Sequence, residues 1–171
     1  VSGAPRAPGE GSAGLPEGRT LDLRGAEVTP AGAVVTGYVP GAWDLFHVGH
    51  LNILRRARES CDVLVVGAVT DEVLAATKGR RPVIPLAERL EILRSLSVVD
   101  RVVVDDCTSD KMPMWQRLRF DVLFKGDDWR GTPKGAVLEA SMAAVGARVV
   151  YFPYTRGTTS TLLRQFIETN G

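Results

Sequence analysis

Five short, largely apolar runs, at 34–39, 63–69, 102–104, 122–124 and 148–152, alternate along the chain with longer stretches of helical periodicity. Because the runs do not alternate polar with apolar residues, neither face of the strands they form suits water. Strands buried on both faces belong in a parallel sheet with helices packed on each side. The intervening stretches fit that arrangement. Phe46, Leu51, Leu54 and Ala57 recur at near-helical spacing, as do Leu86, Leu90, Leu93 and Leu96 behind Pro85. A short helix is expected at 114–118. Another runs through Val137, Ala140, Met142 and Ala144 to stop near Gly146, and a last one starts at about Ser160. The expected fold class is therefore α/β, a doubly wound sheet of five parallel strands. Such sheets bind ligands beyond the carboxyl ends of their strands, so the strand ends are where chemistry is sought.

At 171 residues the chain has room for one domain and a tail. The first 20 residues carry many of its 18 glycines and 10 prolines and almost no bulky apolar side chain. They cannot bury enough surface to offset the entropy of ordering, so 1–20 is expected to be a flexible tail and 21–171 a single domain. A formal net charge of +1 gives no broad field for a nucleic-acid polymer or an anionic membrane. No apolar run approaches the ~18 residues of a membrane span, and no signal peptide is evident. Cys61 and Cys107 are far apart and have no C-x-x-C partner, which disfavours a disulfide scaffold or a cysteine zinc site and suits a reducing cytoplasm.

Both histidines of the chain fall in one string after the first strand, Gly41-Ala42-Trp43-Asp44-Leu45-Phe46-His47-Val48-Gly49-His50. Residues three apart share a helix face, so His47 and His50 can address one small volume. Gly49 leaves that face open for a ligand to approach the backbone. The string also opens a helix, where free N–H groups favour an anion. Two imidazole donors at a helix start form a candidate phosphate cradle, and Asp44 could hold a divalent cation or a substrate amine. A zincin pair is disfavoured, since its histidines stand four apart around a glutamate. The first strand is followed by no G-x-G-x-x-G, and no P-loop occurs anywhere, which disfavours a redox dinucleotide enzyme and a kinase of that type.

The string resembles the G-x-F-D-x-x-H-x-G-H signature of the cytidylyltransferase-like nucleotidylyltransferases, with Trp43 in the Phe position. The resemblance continues in order. Val69-Thr70-Asp71-Glu72 followed by Lys78-Gly79 is similar to the family's segment after the second strand, where a lysine reaches the triphosphate. The segment from Arg80-Arg81-Pro82 to Arg89 resembles the sugar-phosphate adenylyltransferases. Asp100 matches the family's V-D. Lys125-Gly126-Asp127-Asp128-Trp129 resembles the G-D-D-W of glycerol-3-phosphate cytidylyltransferases, and Gly157-Thr158-Thr159-Ser160-Thr161 the end of R-T-E-G-I-S-T-T. Ser97 and Tyr154 stand where that branch carries arginines, and Arg156 or Arg130 offers a substitute cation.

The resemblance implies a Rossmann-like sheet of the nucleotidylyltransferase type and transfer of a nucleotide to a small acceptor with release of pyrophosphate. It assigns His47, His50, Lys78 and Arg89 to catalysis. Gly41, Ala42, Trp43, Gly49, Gly126, Asp127, Asp128, Trp129, Arg156, Gly157, Thr159, Ser160 and Thr161 would bind the nucleotide. It implies Mg²⁺ on the triphosphate, with Asp44 and Asp128 as its protein partners, and a homodimer. CTP is the expected nucleotide, and a phosphate or phosphonate such as glycerol-3-phosphate the acceptor. An ATP-dependent sugar-phosphate adenylyltransferase and a non-catalytic nucleotide-binding module are the alternatives. Positive character is expected to gather at the strand ends, in His47, His50, Lys78, Arg89 and Arg156.

Overall fold

The computed structural model describes residues 20–21, 27–28, 32–153, 157 and 159–170. Contacts divide the chain into two units, Val1–Ala33 and Val34–Gly171. In the first, β1 (Thr20–Leu21) pairs antiparallel with β2 (Glu27–Val28). Residues 1–19, most of the expected tail, lie outside the described residues.

The second unit runs β3 (Thr36–Gly41), α1 (Val48–Arg58), β4 (Val63–Val69), α2 (Asp71–Lys78) and α3 (Leu86–Arg94). It continues with β5 (Arg101–Asp105), α4 (Met112–Leu118), β6 (Val122–Gly126), a 3₁₀ turn (Asp127–Trp129) and α5 (Pro133–Ala143), then closes with β7 (Arg148–Phe152) and α6 (Ser160–Asn170). The five strands form one wholly parallel sheet in the order β5-β4-β3-β6-β7. The chain thus starts at the centre, builds to one edge and returns to build the other. That reversal opens a crevice at the carboxyl ends of β3 and β6.

Alternate residues of each strand feed opposite faces. Val39, Val66 and Phe124 join Leu54 of α1 and Leu93 of α3 in one core cluster. Tyr38, Val65 and Leu123 join Met114 of α4 and Leu138 of α5 in the other. Burial on both sides explains why the strand runs read as nearly unbroken apolar sequence. The first run begins later than expected, at Thr36, and Val34 is 64% exposed. At the amino ends of the strands, three aspartates clasp neighbouring backbone. Asp62 accepts from Val35 N at 2.7 Å, Asp121 from Thr36 N at 2.8 Å, and Asp100 from Leu64 N at 2.7 Å. Asp100, matched in sequence to the V-D of the family, therefore acts at the end of the sheet away from the crevice.

The apolar periodicity marks no helix between the second strand and Leu86, yet α2 is a helix with well-marked ends. Thr70 Oγ1 accepts from Val73 N at 3.3 Å, Asp71 and Glu72 occupy the first turn, and Gly79 stops the helix at φ +69°. No helix among the described residues is long and apolar enough to cross a membrane.

One close approach fixes the centre of the sheet. A Cβ at Gly67 would lie 2.1 Å from the Tyr38 hydroxyl, which is itself held 2.8 Å from Asp105 Oδ2. Tyr38 cannot swing aside without giving up that hydrogen bond. Gly67→Ala is expected to destabilise the protein by about 1–3 kcal/mol, the usual cost of overpacking, read as a lowered urea midpoint. An unchanged midpoint would show that the sheet centre is looser than its geometry.

Candidate active site

β3 ends in a tight loop in which Trp43 and Leu45 both adopt left-handed backbone, at φ +57° and +51°. Bulky residues in that region cost of order 1–3 kcal/mol each and persist only where their surroundings hold them. Here the hold is visible. Trp43 is 3% exposed, its indole N–H donates to Gly67 O at 2.9 Å, and its ring covers Gly41. A Cβ at Gly41 would stand 2.6 Å from that ring, so the position needs glycine. Trp43 is thus the wall on which the next residues rest.

His47 caps α1. Its Nδ1 accepts from Gly49 N at 3.0 Å, so in the neutral ring the proton sits on Nε2. His50, one helical step on, stacks on it with ring centroids 4.0 Å apart and 26° between planes. Trp43 meets His50 edge-on at 5.3 Å. Burial against these rings, then the neighbouring His47 and Lys78 charges, push the His50 pKa down to about 4. Desolvation also lowers that of His47. Both shifts favour uncharged imidazoles near neutral pH, so the positive character expected of them falls to the lysines and arginines.

That depression has a sign. Between the ordinary histidine value near 6.5 and about 4, the unfolded chain takes up a proton that the folded His50 refuses. Stability from this group is intact above about pH 6.5 and is lost as pH falls through that window. In His50→Gln, the decline of Tm between those pH values is expected to be shallower than in the wild type. A slope identical in both would remove His50 as its source.

Asp44 ties the loop to two distant segments. Its carboxylate accepts from Val83 N at 3.0 Å and Ile84 N at 2.9 Å and pairs with Arg164 of α6, while its carbonyl accepts from Ser160 Oγ at 2.8 Å. Arg164 was not singled out from sequence. The available signal was its place four residues after Ser160, on the same helix face. Thr159 Oγ1 accepts from Leu162 N at 3.1 Å, as a helix cap should.

Around these groups lies a cleft of about 540 Å³. Gly41, Ala42, Trp43, Asp44, His47, Gly49 and His50 line it from the β3 end and the start of α1, Lys78 from the end of α2, and Thr159, Ser160 and Thr161 from α6. Gly126, Asp128 and Trp129 line it from β6. Asp127 and Gly157 are not on its wall, and Arg156 lies outside the described residues, as does Tyr154. Among the described residues only two buried side-chain nitrogens lack a hydrogen-bond partner, His50 Nδ1 and Arg164 Nε, and both residues line this cleft. Buried unpaired polar atoms are costly and concentrate where a ligand or function accounts for them.

Arg89 is in a different position from the one its sequence suggests. It is 0% exposed and absent from the cleft wall. Its guanidinium donates to the carbonyls of Ile84 at 3.0 Å, Val69 at 2.9 Å and Ala42, and pairs with Asp71 at 2.5 Å. Each of its three nitrogens is bound to protein, so Arg89 braces the strand ends from an enclosed position and does not reach the cleft.

Lysines missed as site residues line the opposite wall. Lys111 is buried and paired with Asp105 at 2.7 Å, and Lys125 lies 3.9 Å over the Trp129 ring. Desolvation and the Lys111 charge bring the Lys125 pKa down to about 8. Desolvation and Arg80 also lower that of Lys78.

Magnesium is the cation the resemblance implies. Among the described residues no group of three or more His, Cys, Asp or Glu side chains is arranged to hold a metal. The Asp44 carboxylate is taken by two backbone N–H groups and Arg164, which leaves Asp128, exposed on the cleft wall. One available carboxylate fits an ion carried in on a triphosphate, since Mg²⁺ is usually held by phosphates, water and one or two carboxylates. It does not fit a resident metal centre.

Comparison with known proteins extends this picture. The family model described as cytidylyltransferase-like matches residues 38–166. The FAD synthase of Thermococcus sibiricus is 32% identical over 140 residues, covering 80% of this chain and 93% of that protein. The ethanolamine-phosphate cytidylyltransferase of Arabidopsis thaliana is 38% identical over 128 residues, 72% of this chain but only 30% of the relative. Among solved structures, the lipopolysaccharide core biosynthesis protein from Thermoplasma volcanium superposes with a TM-score of 0.61 at 24% identity, over 74% of this chain and 100% of that one. That last likeness is one of fold.

Proposed function

The chain belongs to the cytidylyltransferase-like family of nucleotidylyltransferases, and on that footing we propose that it transfers CMP from CTP to a phosphate or phosphonate oxygen of a small acceptor, releasing pyrophosphate. The observation that carries the reading is the cradle itself, two stacked neutral imidazoles at the start of α1 facing one cleft with Lys78 and the start of α6.

In this reading the triphosphate lies across His47 and His50, whose N–H groups donate to the phosphate oxygens. Lys78 neutralises charge on the leaving pyrophosphate, and Thr159, Ser160 and Thr161 hold phosphate oxygens at the α6 start. Mg²⁺ bound to the triphosphate supplies further neutralisation, with Asp128 the carboxylate within the cleft to meet it. Asp44 positions the loop through Val83, Ile84 and Arg164. Gly126 and Trp129 complete the nucleotide wall, and Arg156 remains a proposed cation of the same site. The acceptor oxygen attacks the α-phosphorus in line, so the protein's work is positioning and charge stabilisation.

The Gly-Asp-Asp-Trp string and the cytidylyltransferase relative favour CTP. A second reading, adenylyl transfer from ATP, is favoured by the FAD synthase, which matches over nearly its whole length. Pyrophosphate release measured for CTP and ATP, each crossed with phosphate and phosphonate acceptors, separates the two. Release with CTP supports the first, and release with ATP alone replaces it with the second. Nucleotide binding with no release by either makes the protein a binding module.

A further inference from the structure

We propose that Lys125, seated on the Trp129 ring, receives the anionic group of the acceptor and so makes this protein selective for an already ionised oxygen nucleophile. The inference rests on the nucleotidyl-transfer reading and gives a role to Lys125, which opens the Lys125–Trp129 string without being one of its four G-D-D-W residues.

The geometry begins at the end of β6. Phe124 packs into the core cluster shared with α1 and α3, so the next residue, Lys125, turns to the opposite face of the sheet. There its Nζ lies 3.9 Å from the Trp129 ring centroid. Among the described residues no carboxylate stands within ion-pair distance of it, whereas the other buried cations of the cleft are matched. Lys111 is bound to Asp105 at 2.7 Å and to the Cys107 carbonyl at 2.9 Å, and Arg164 to Asp44. A half-buried ammonium that has an aromatic face beneath it, and feels Asp128 and Asp105 only from beyond ion-pair distance, is a poor structural element. It is well suited to an incoming anion.

Its position says which anion. Lys125 feels the charge of Lys111, at the end of the loop after β5, the opposing charges of Asp128 and Asp105, and the charge of Lys78, which belongs with the histidine cradle. That loop adds Thr108 and Ser109 to the same wall of the cleft. The triphosphate takes the histidine side, and Lys125 stands across the strand ends from it. In the transfer an acceptor oxygen forms a bond to the α-phosphorus. The bond from that phosphorus to the bridging oxygen breaks, and pyrophosphate leaves with the electron pair. A phosphate or phosphonate oxygen enters this step already deprotonated, so no base is needed. The obstacle is repulsion between two anions, which an ammonium between them screens.

The test uses the full chain with inorganic phosphate and methylphosphonate as probes. Binding of each is measured by calorimetry, and binding of CTP separately, in the wild type, Lys125→Met and Lys125→Arg. Loss of one charge-assisted contact is expected to weaken phosphate binding about ten- to hundredfold in Lys125→Met. CTP affinity should hold, and Lys125→Arg should recover most of the loss. Should the methionine variant unfold, Lys125→Gln replaces it, with the same expected result. Phosphate affinity unchanged by removing the charge, or CTP affinity falling in step with it, overturns the assignment. Absence of CTP and ATP binding by the wild type would instead defeat the nucleotidyl-transfer reading, while the phosphate titrations still decide whether Lys125 is an anion seat.

Discussion

His50→Ala is expected to lower kcat/KM for pyrophosphate release by about 10²–10³-fold, the usual loss when one preorganised donor to a developing oxyanion is removed. The loss should appear mainly in kcat, because charge grows on the phosphate oxygens as the α-phosphorus is attacked. The same is expected of His47→Ala, with a difference in stability. His47 also caps α1 through Nδ1, so its loss should cost about 1 kcal/mol of folding as well. Because the rings stack at 4.0 Å and address one ligand, the double variant should fall little further than either single one. Near-normal turnover by a folded single variant would remove the cradle from the mechanism.

Arg89→Met should act on folding. The substitution keeps most of the side chain's volume and removes the donors that hold three backbone carbonyls and Asp71. Breaking a buried pair by removing one partner typically costs about 3–5 kcal/mol, a large part of the stability of a domain this size. The expected result is a markedly lower urea midpoint. At temperatures where the variant remains folded, KM for nucleotide should be little changed. A stable variant with lost turnover would return Arg89 to the catalytic role that its sequence neighbourhood suggests.

The architecture was largely legible because the sheet is buried on both faces. Val63–Val69 and Arg148–Phe152 read directly as strands, and the cradle was found because both histidines sit in one string. What escaped depended on long-range geometry. Arg89 lies beside the apolar stripe of α3 and is enclosed, while Arg80 and Arg81 precede that helix and line the cleft, but the sequence does not show which carbonyls receive it. A basic residue's role is set by which carbonyls the fold brings to it. Arg164 and Lys125 were missed for the same reason, since their partners Asp44 and Trp129 become informative only once distances are known. α2 is marked at its ends by Thr70, Asp71, Glu72 and Gly79, but it is short and buries only Leu74, so it carries no apolar stripe to reveal it.

The tie between Asp44 and α6 also bears on how the protein is made. Ser160 reaches the Asp44 carbonyl from 116 residues further along the chain, and Arg164 reaches its carboxylate from 120. A ribosome emitting this chain exposes the two histidines early, but the clamp that steadies their loop arrives only with α6. A nascent chain should therefore acquire its sheet before it acquires affinity for nucleotide. Competence then waits on the emergence of α6, and chains interrupted before it are expected to be folded in outline yet without the tie that steadies the histidine loop.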